Sequence, residues 1–164
     1  MKTDSFRLKG IVAEDFVNYK EPSTFLVSSF CDWKCCREGN FDESVCQNNE
    51  LAISPIQEFT FKQLTDFYLN NPISKALVIG GLEPFMQWEE LKAFIGYFRA
   101  FTDDTIVIYT GYKEDELVDQ ISYLNWFDNI IIKFGRYIPN QKPHYDSILG
   151  VELASDNQYA KYIK

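Results

Sequence analysis

The stretch KALVIGGLEPFMQWEELKAFIGYFRA, residues 75–100, decides the fold class. Its first part is a short apolar, β-branched run that stops at two glycines, Gly80 and Gly81, as a buried strand does. In its second part the period changes: Trp88, Leu91, Ile95 and Phe98 recur at helical spacing and share one face. The strand-then-helix pattern repeats downstream. DTIVIYTGY (104–112) reads as the next strand. KEDELVDQISYL (113–124) reads as a helix with Leu117, Val118, Ile121 and Leu124 on its apolar face and acidic residues in its first turn. DNIIIKFGRY (128–137) is a further strand. Upstream, STFLVSSF (23–30) reads as a strand and FTFKQLTDFYLNN (59–71) as a helix closed by Asn70, Asn71 and Pro72. The polar end ASDNQYAKYIK (154–164) is expected to dock as a short helix or strand.

Strands alternating with helices of this length pair in parallel through right-handed crossovers, so the expected fold is α/β with helices covering a mostly parallel sheet. No repeat, linker or low-complexity segment divides residues 1–164, which are therefore read as a single domain. Ligands in such folds gather at the carboxyl ends of the strands. In this chain those ends carry Cys31, then Gly80 and Gly81, then Thr110 and Gly111, then Lys133 and Gly135.

Composition removes several functions. A formal charge of −8 repels phosphate backbones and no basic stripe offsets it, so nucleic acid is excluded as a partner. No apolar run is long enough to span a membrane. The start, MKTDSFRLKG, lacks the apolar core of a signal peptide, which points to the cytoplasm and to reduced thiols. There is no G-x-G-x-x-G and no Walker-type phosphate loop. The single histidine, His144, stands in the polar stretch NQKPHYDS and reads as a solvated loop residue.

All four cysteines, Cys31, Cys35, Cys36 and Cys46, fall within the stretch FCDWKCCREGNFDESVCQNNE, residues 30–50. Incidental burial, a structural zinc site and an iron–sulfur cluster are the three readings. Zinc favours paired C-x2-C knuckles, which this spacing lacks. A loop after a strand can wrap thiolates around one cuboidal face, and three ligands leave one iron open.

The order C-x3-C then C-Q-N after the first strand, a GGLEP turn after the second and YTGY after the third resembles the radical S-adenosylmethionine superfamily. Within it the chain is most similar to the small activases of glycyl radical enzymes, above all the activating proteins of anaerobic ribonucleotide reductase. Asp15 and Asn18 fill the places of an Asp-x-x-Asn turn before the first strand, Gln47 stands where a histidine is usual, and IIIKFGRYI and SDNQ are similar to the family's late strand and closing segment. The resemblance implies a partial (βα) barrel, and a [4Fe-4S] cluster on Cys31, Cys35 and Cys46, with Cys36 as an alternate ligand. It also implies S-adenosylmethionine held by Gly80, Gly81, Glu83, Thr110, Gly111 and Lys133. Tyr109 and Trp33 would shield the site or pack in the core. The activity implied is reductive cleavage of S-adenosylmethionine to place a radical on a glycine of a partner, an anaerobic ribonucleotide reductase, with flavodoxin or ferredoxin as electron donor. Modification of a small molecule or peptide, or a non-catalytic cluster or zinc module, are the alternatives. Two departures from the family's pattern stand out. Ten residues separate Cys35 from Cys46, a gap that a hairpin at REGNFDESV would close, and Leu82 intrudes between Gly81 and Glu83.

Overall fold

Every second residue of the central strands faces a helix layer, and the residues between face the other way. The computed structural model describes residues 3–164. Four strands, β2 (Ser23–Ser28), β4 (Ala76–Gly81), β5 (Thr105–Tyr109) and β6 (Ile130–Phe134), pair in parallel in that order. The sheet has seven strands: β1 (Ser5–Asp15) and then β3 (Gln57–Thr60) continue it antiparallel beyond β2, and β9 (Tyr159–Tyr162) lies antiparallel on β6. The expected α/β class with parallel central strands is observed. Short strands β7 (His144–Asp146) and β8 (Val151–Leu153) form a separate hairpin.

On one face Leu77, Ile79, Ile106, Ile108, Ile130, Ile132 and Phe134 meet the apolar sides of α3 (Phe61–Leu69), α4 (Trp88–Phe98) and α5 (Val118–Leu124). Phe94 and Phe98 of α4 are fully buried there. On the other face Ala76, Val78, Val107 and Ile131 meet Tyr19, Leu149, Leu153 and Ala160, which come from the turn after β1, the β7–β8 hairpin and β9. The helices thus cover one face of the sheet rather than enclosing it. Burial of this much apolar surface, at about 25 cal/mol per Å², is the main force holding the layers together.

Several expectations are corrected. Residues 59 and 60 are not helical but end β3, whose Phe59 pairs with Phe6 of β1. The helix begins only at Phe61, where Thr60 closes a capping box: Gln63 N–H donates to Thr60 Oγ1 (3.1 Å) and Thr60 N–H to Gln63 Oε1 (2.8 Å). Val118 is 64% exposed, because a 3-10 turn at Glu114–Glu116 rotates it away from the face that holds Leu117 and Leu124. His144 is not in an open loop but starts β7, half-buried, with Nδ1 lacking a hydrogen-bond partner. Among the described residues no helix is long and apolar enough to cross a membrane.

Thr60→Ala is expected to cost about 1 kcal/mol in a urea titration, since it strips the cap from α3. An unchanged midpoint would mean that β3 pairing alone fixes where the helix begins.

Candidate functional site

The side chains that point away from the helices at the carboxyl ends of the parallel strands border a cavity. Val27, Tyr109 and Lys133 stand there beside Gly81 and line a cavity of about 630 Å³. Gly80 stands in the same row but does not line the cavity; a Cβ on it would lie 3.0 Å from Tyr109 Cβ and 3.3 Å from Phe25 Cε2. The hairpin strand β8 and the turn at Val17 and Asn18 close the opposite wall. That turn is built as its sequence suggests: Asn18 Nδ2 donates to Asp15 Oδ2 at 2.7 Å, and Tyr109 Oη donates to the carbonyl of Asn18 at 2.5 Å.

Cys31, Cys35 and Cys46 all line this cavity. Trp33 takes a left-handed conformation (φ 59°) and starts α1 (Lys34–Gly39). For a bulky side chain that conformation is strained, and it turns the chain just after Cys31. Successive residues of a helix point about 100° apart. Cys35 therefore faces the cavity while Cys36, 3% exposed, faces the protein interior and is not part of the cavity wall. No hairpin fills the segment before Cys46. Asn40 (φ 53°) ends α1, a 3-10 turn at Glu43–Val45 capped by Asp42 follows, and Cys46 comes back to the cavity.

Backbone donors reach two of the sulfurs: Trp33 N–H to Cys31 Sγ and Tyr137 N–H to Cys35 Sγ, both at 3.3 Å. Burial pushes the Cys31 thiol up to about 12, with the carboxylates of Glu83 and Asp32 adding to the rise and the Trp33 N–H opposing it. Burial also raises Cys35, against the Tyr137 N–H and the positive charges of Arg136 and Lys133. A Cβ at Gly111 would sit 3.1 Å from Cys35 Sγ, so a side chain there would press on that sulfur by a few tenths of an ångström.

Leu82 does not displace Glu83 from the cavity. Gly81 absorbs the extra residue with φ 90°, and Glu83 N–H is anchored on the carbonyl of Phe30 at 2.7 Å. The Glu83 carboxylate accepts from Thr110 Oγ1 (2.8 Å), Gly111 N–H (2.9 Å) and Phe85 N–H (3.1 Å). Burial nevertheless lifts it to about 7. Lys133 is 7% exposed, reaches only the Gly135 carbonyl at 3.5 Å, and is brought down by burial to about 8. The cavity thus holds one buried carboxylate and one buried, under-bonded ammonium.

Two residues hold the site in ways the sequence did not show: Asn48, read only as the last residue of the C-Q-N step, and Arg136. Asn48, next to the noted Gln47, donates through Nδ2 to the Gly81 carbonyl at 2.7 Å and ties the last cysteine turn to β4. Arg136, 5% exposed, is the clamp of the cysteine segment. Its Nε and Nη2 bond Glu38 at 2.7 and 3.1 Å, Nη2 bonds Glu116 at 2.6 Å, and Nη1 bonds the Gly111 carbonyl at 2.5 Å. Burial alone would depress this guanidinium, but its two carboxylate partners outweigh that and raise it. The only sequence signal for Arg136 is a cation directly after a strand end in FGRY.

The donor set fits an iron–sulfur cluster. Among the described residues no three His, Cys, Asp or Glu side chains stand close enough to share a single metal ion. Around one zinc ion, thiolates about 2.3 Å from the metal would lie within about 4 Å of one another. A cuboidal cluster takes each thiolate on a different iron and so suits three cysteines that line one cavity. An α/β domain with a cysteine loop of this kind at the strand ends is a cluster-binding domain by its chemistry. The sequence agrees: over residues 23–158 it matches the family described as 4Fe-4S single cluster domain, and the chain belongs to that family. No curated protein and no solved structure matches it.

The Arg136 clamp has a pH signature. Its guanidinium pulls Glu116 down to about 2 from an ordinary 4.5, so the stability this adds is complete above about 4.5 and is lost as pH falls from there toward 2. In acid unfolding of the apoprotein, the difference in stability between wild type and Glu116→Gln should shrink across that interval. A difference independent of pH would assign Glu116 a role in packing alone.

Proposed function

We propose that the protein is a radical S-adenosylmethionine enzyme of the glycyl radical activase type. The observation that carries this reading is the continuity of two sites. Cys31, Cys35 and Cys46 line the same cavity as Gly81, Glu83, Thr110, Gly111 and Lys133, so a cluster on the sulfurs would face a ligand on the polar floor. Glu83 and Lys133 are buried charges of opposite sign in that floor, a pairing complementary to an α-amino acid, whose ammonium suits the carboxylate and whose carboxylate suits the ammonium. S-adenosylmethionine carries such a group. The one-sided helix layer, with the cavity on the opposite face, supports a partial barrel.

Held by Cys31, Cys35 and Cys46 and by the polar lining, the cluster and S-adenosylmethionine would supply one-electron reductive chemistry, with the electron from an external donor, directed at a glycine of the partner. The chain's own residues position and exclude water. Lys133 and Glu83 would hold the amino acid end, Thr110 and Gly111 would border the sugar, and Tyr109 and Val27 supply the apolar part of the lining. On this reading the partner is a glycyl radical enzyme, an anaerobic ribonucleotide reductase, the electron donor is a flavodoxin or ferredoxin, and the work is done in the cytoplasm. One observation favours a second reading, a cluster module without S-adenosylmethionine: the Glu83 carboxylate and the Gly81 carbonyl already hold bonds from Thr110, Gly111, Phe85 and Asn48.

The test is formation of 5′-deoxyadenosine after anaerobic reconstitution with iron and sulfide and reduction with dithionite. Product is expected from wild type and Cys36→Ala, and none from Cys31→Ala, Cys35→Ala or Cys46→Ala, which should also lose iron. A full, reducible cluster without product, even with a glycyl radical enzyme added, would favour the module. Lys133→Met should keep its iron and bind S-adenosylmethionine about 10-fold more weakly or worse, for loss of a charge-assisted bond. Equal affinity would remove Lys133 from the cofactor site.

A further inference from the structure

We propose that Arg136 is a positioning residue that sets the reduction potential of the cluster from the Cys35 side. The inference rests on the reading above only in taking Cys35 as a ligand. The cavity is electrically lopsided at its sulfurs. Around Cys35 lie the Tyr137 N–H at 3.3 Å, the Gly111 backbone, and the cations Lys133 and Arg136. Around Cys31 lie the carboxylates of Glu83 and Asp32, with the Trp33 N–H as counterweight. Positive charge and N–H donors at a sulfur favour the reduced cluster, whose net charge is one unit more negative.

Formally Arg136, Glu38 and Glu116 sum to −1, and the triad could be expected to oppose reduction. Exposure reverses this. The Arg136 side chain is 6% exposed, whereas Glu38 and Glu116 are 48% and 28% exposed. Water screens the carboxylates far more than the guanidinium, so of these three charges the cation acts most strongly at Cys35.

Arg136 also holds the donor next to it. Its carbonyl accepts from Asn157 Nδ2 at 2.9 Å and from Ser155 Oγ at 3.4 Å. Before it, Gly135 N–H donates to the Tyr112 carbonyl at 3.0 Å, and Gly135 has φ 110° in a place where a Cβ would meet Asn157 O at 3.0 Å. Bonded from both sides and through its side chain, the segment keeps the Tyr137 N–H aimed at Cys35.

The experiment is a redox titration of the reconstituted protein followed by electron paramagnetic resonance. Dithionite supplies the single electron that takes a bound [4Fe-4S] cluster from the 2+ to the 1+ state. Arg136→Met should shift the midpoint to a more negative value, because it removes the cation and loosens the Tyr137 donor. Glu38→Gln, a change on the exposed side of the clamp, should shift it to a less negative value. Arg136→Lys, which keeps the charge and loses the fork, should fall between Arg136→Met and wild type. Midpoints equal to wild type in Arg136→Met and Glu38→Gln would overturn the proposal, and so would shifts of the same sign, which mark general loosening. If Arg136→Met fails to hold a cluster, Glu38→Gln decides alone: a rise supports the proposal and no rise overturns it. Iron content and spectrum of Cys35→Ala are measured alongside. A full cluster with an unaltered spectrum in that variant would remove Cys35 as a ligand, a failure of the underlying reading that is separate from the midpoint comparison.

Discussion

The carboxylate of Glu83 joins three pieces of backbone that would otherwise drift apart. Through its three bonds it ties the end of β4 to the loop after β5 and to the turn that begins α4. A buried carboxylate is tolerated only when its oxygens are satisfied, and each of these bonds contributes more than a neutral one would. Fixing the β5 loop fixes Gly111, and Gly111 in turn receives the Arg136 fork on its carbonyl and the sulfur of Cys35 against its Cα. The cysteine segment is therefore registered on the sheet through a chain of contacts that starts at one side chain.

The central strands were legible because each is a continuous β-branched run buried on both faces, and the long helix α4 because its apolar residues recur at helical spacing. Other elements were not. β1 alternates exposed and buried residues irregularly over 11 positions, with shifts in its pairing, so it carries no clean period of two. β3 is four residues long and runs without a break into α3, so its Phe59 and Thr60 share the apolar and polar pattern of the helix that follows. β7, β8 and β9 are equally short, and what orders them is tertiary. Asp146 accepts locally from Ile148 and Leu149, but it also accepts from Ala160 of β9, 14 positions away, a bond that no local window displays.

At the site, the residues at strand ends could be named in advance because parallel topology puts them on one rim. The C-x3-C spacing favoured Cys35 over its neighbour Cys36 without showing where either sulfur lies; the left-handed Trp33 that sets the phase of α1 turns Cys35 into the cavity lining and leaves Cys36 outside it. The roles of Arg136 and of Asn48, which closes the C-Q-N step, were hidden for a different reason. Their partners Glu38, Gly111 and Gly81 are 25 to 98 positions away in the chain, and a lone arginine or asparagine gives no periodic signal.

The burial of the cysteines bears on how the protein survives without its metal. The thiolate, not the thiol, is the species that attacks oxidants and disulfides. Cys31, held up to about 12, and Cys36, held up to about 11, are almost wholly protonated at neutral pH, and Cys35 is shifted the same way. As thiols, Cys31, Cys35 and Cys36 are thus chemically quiet, and a metal that takes any of them as a ligand must displace its proton.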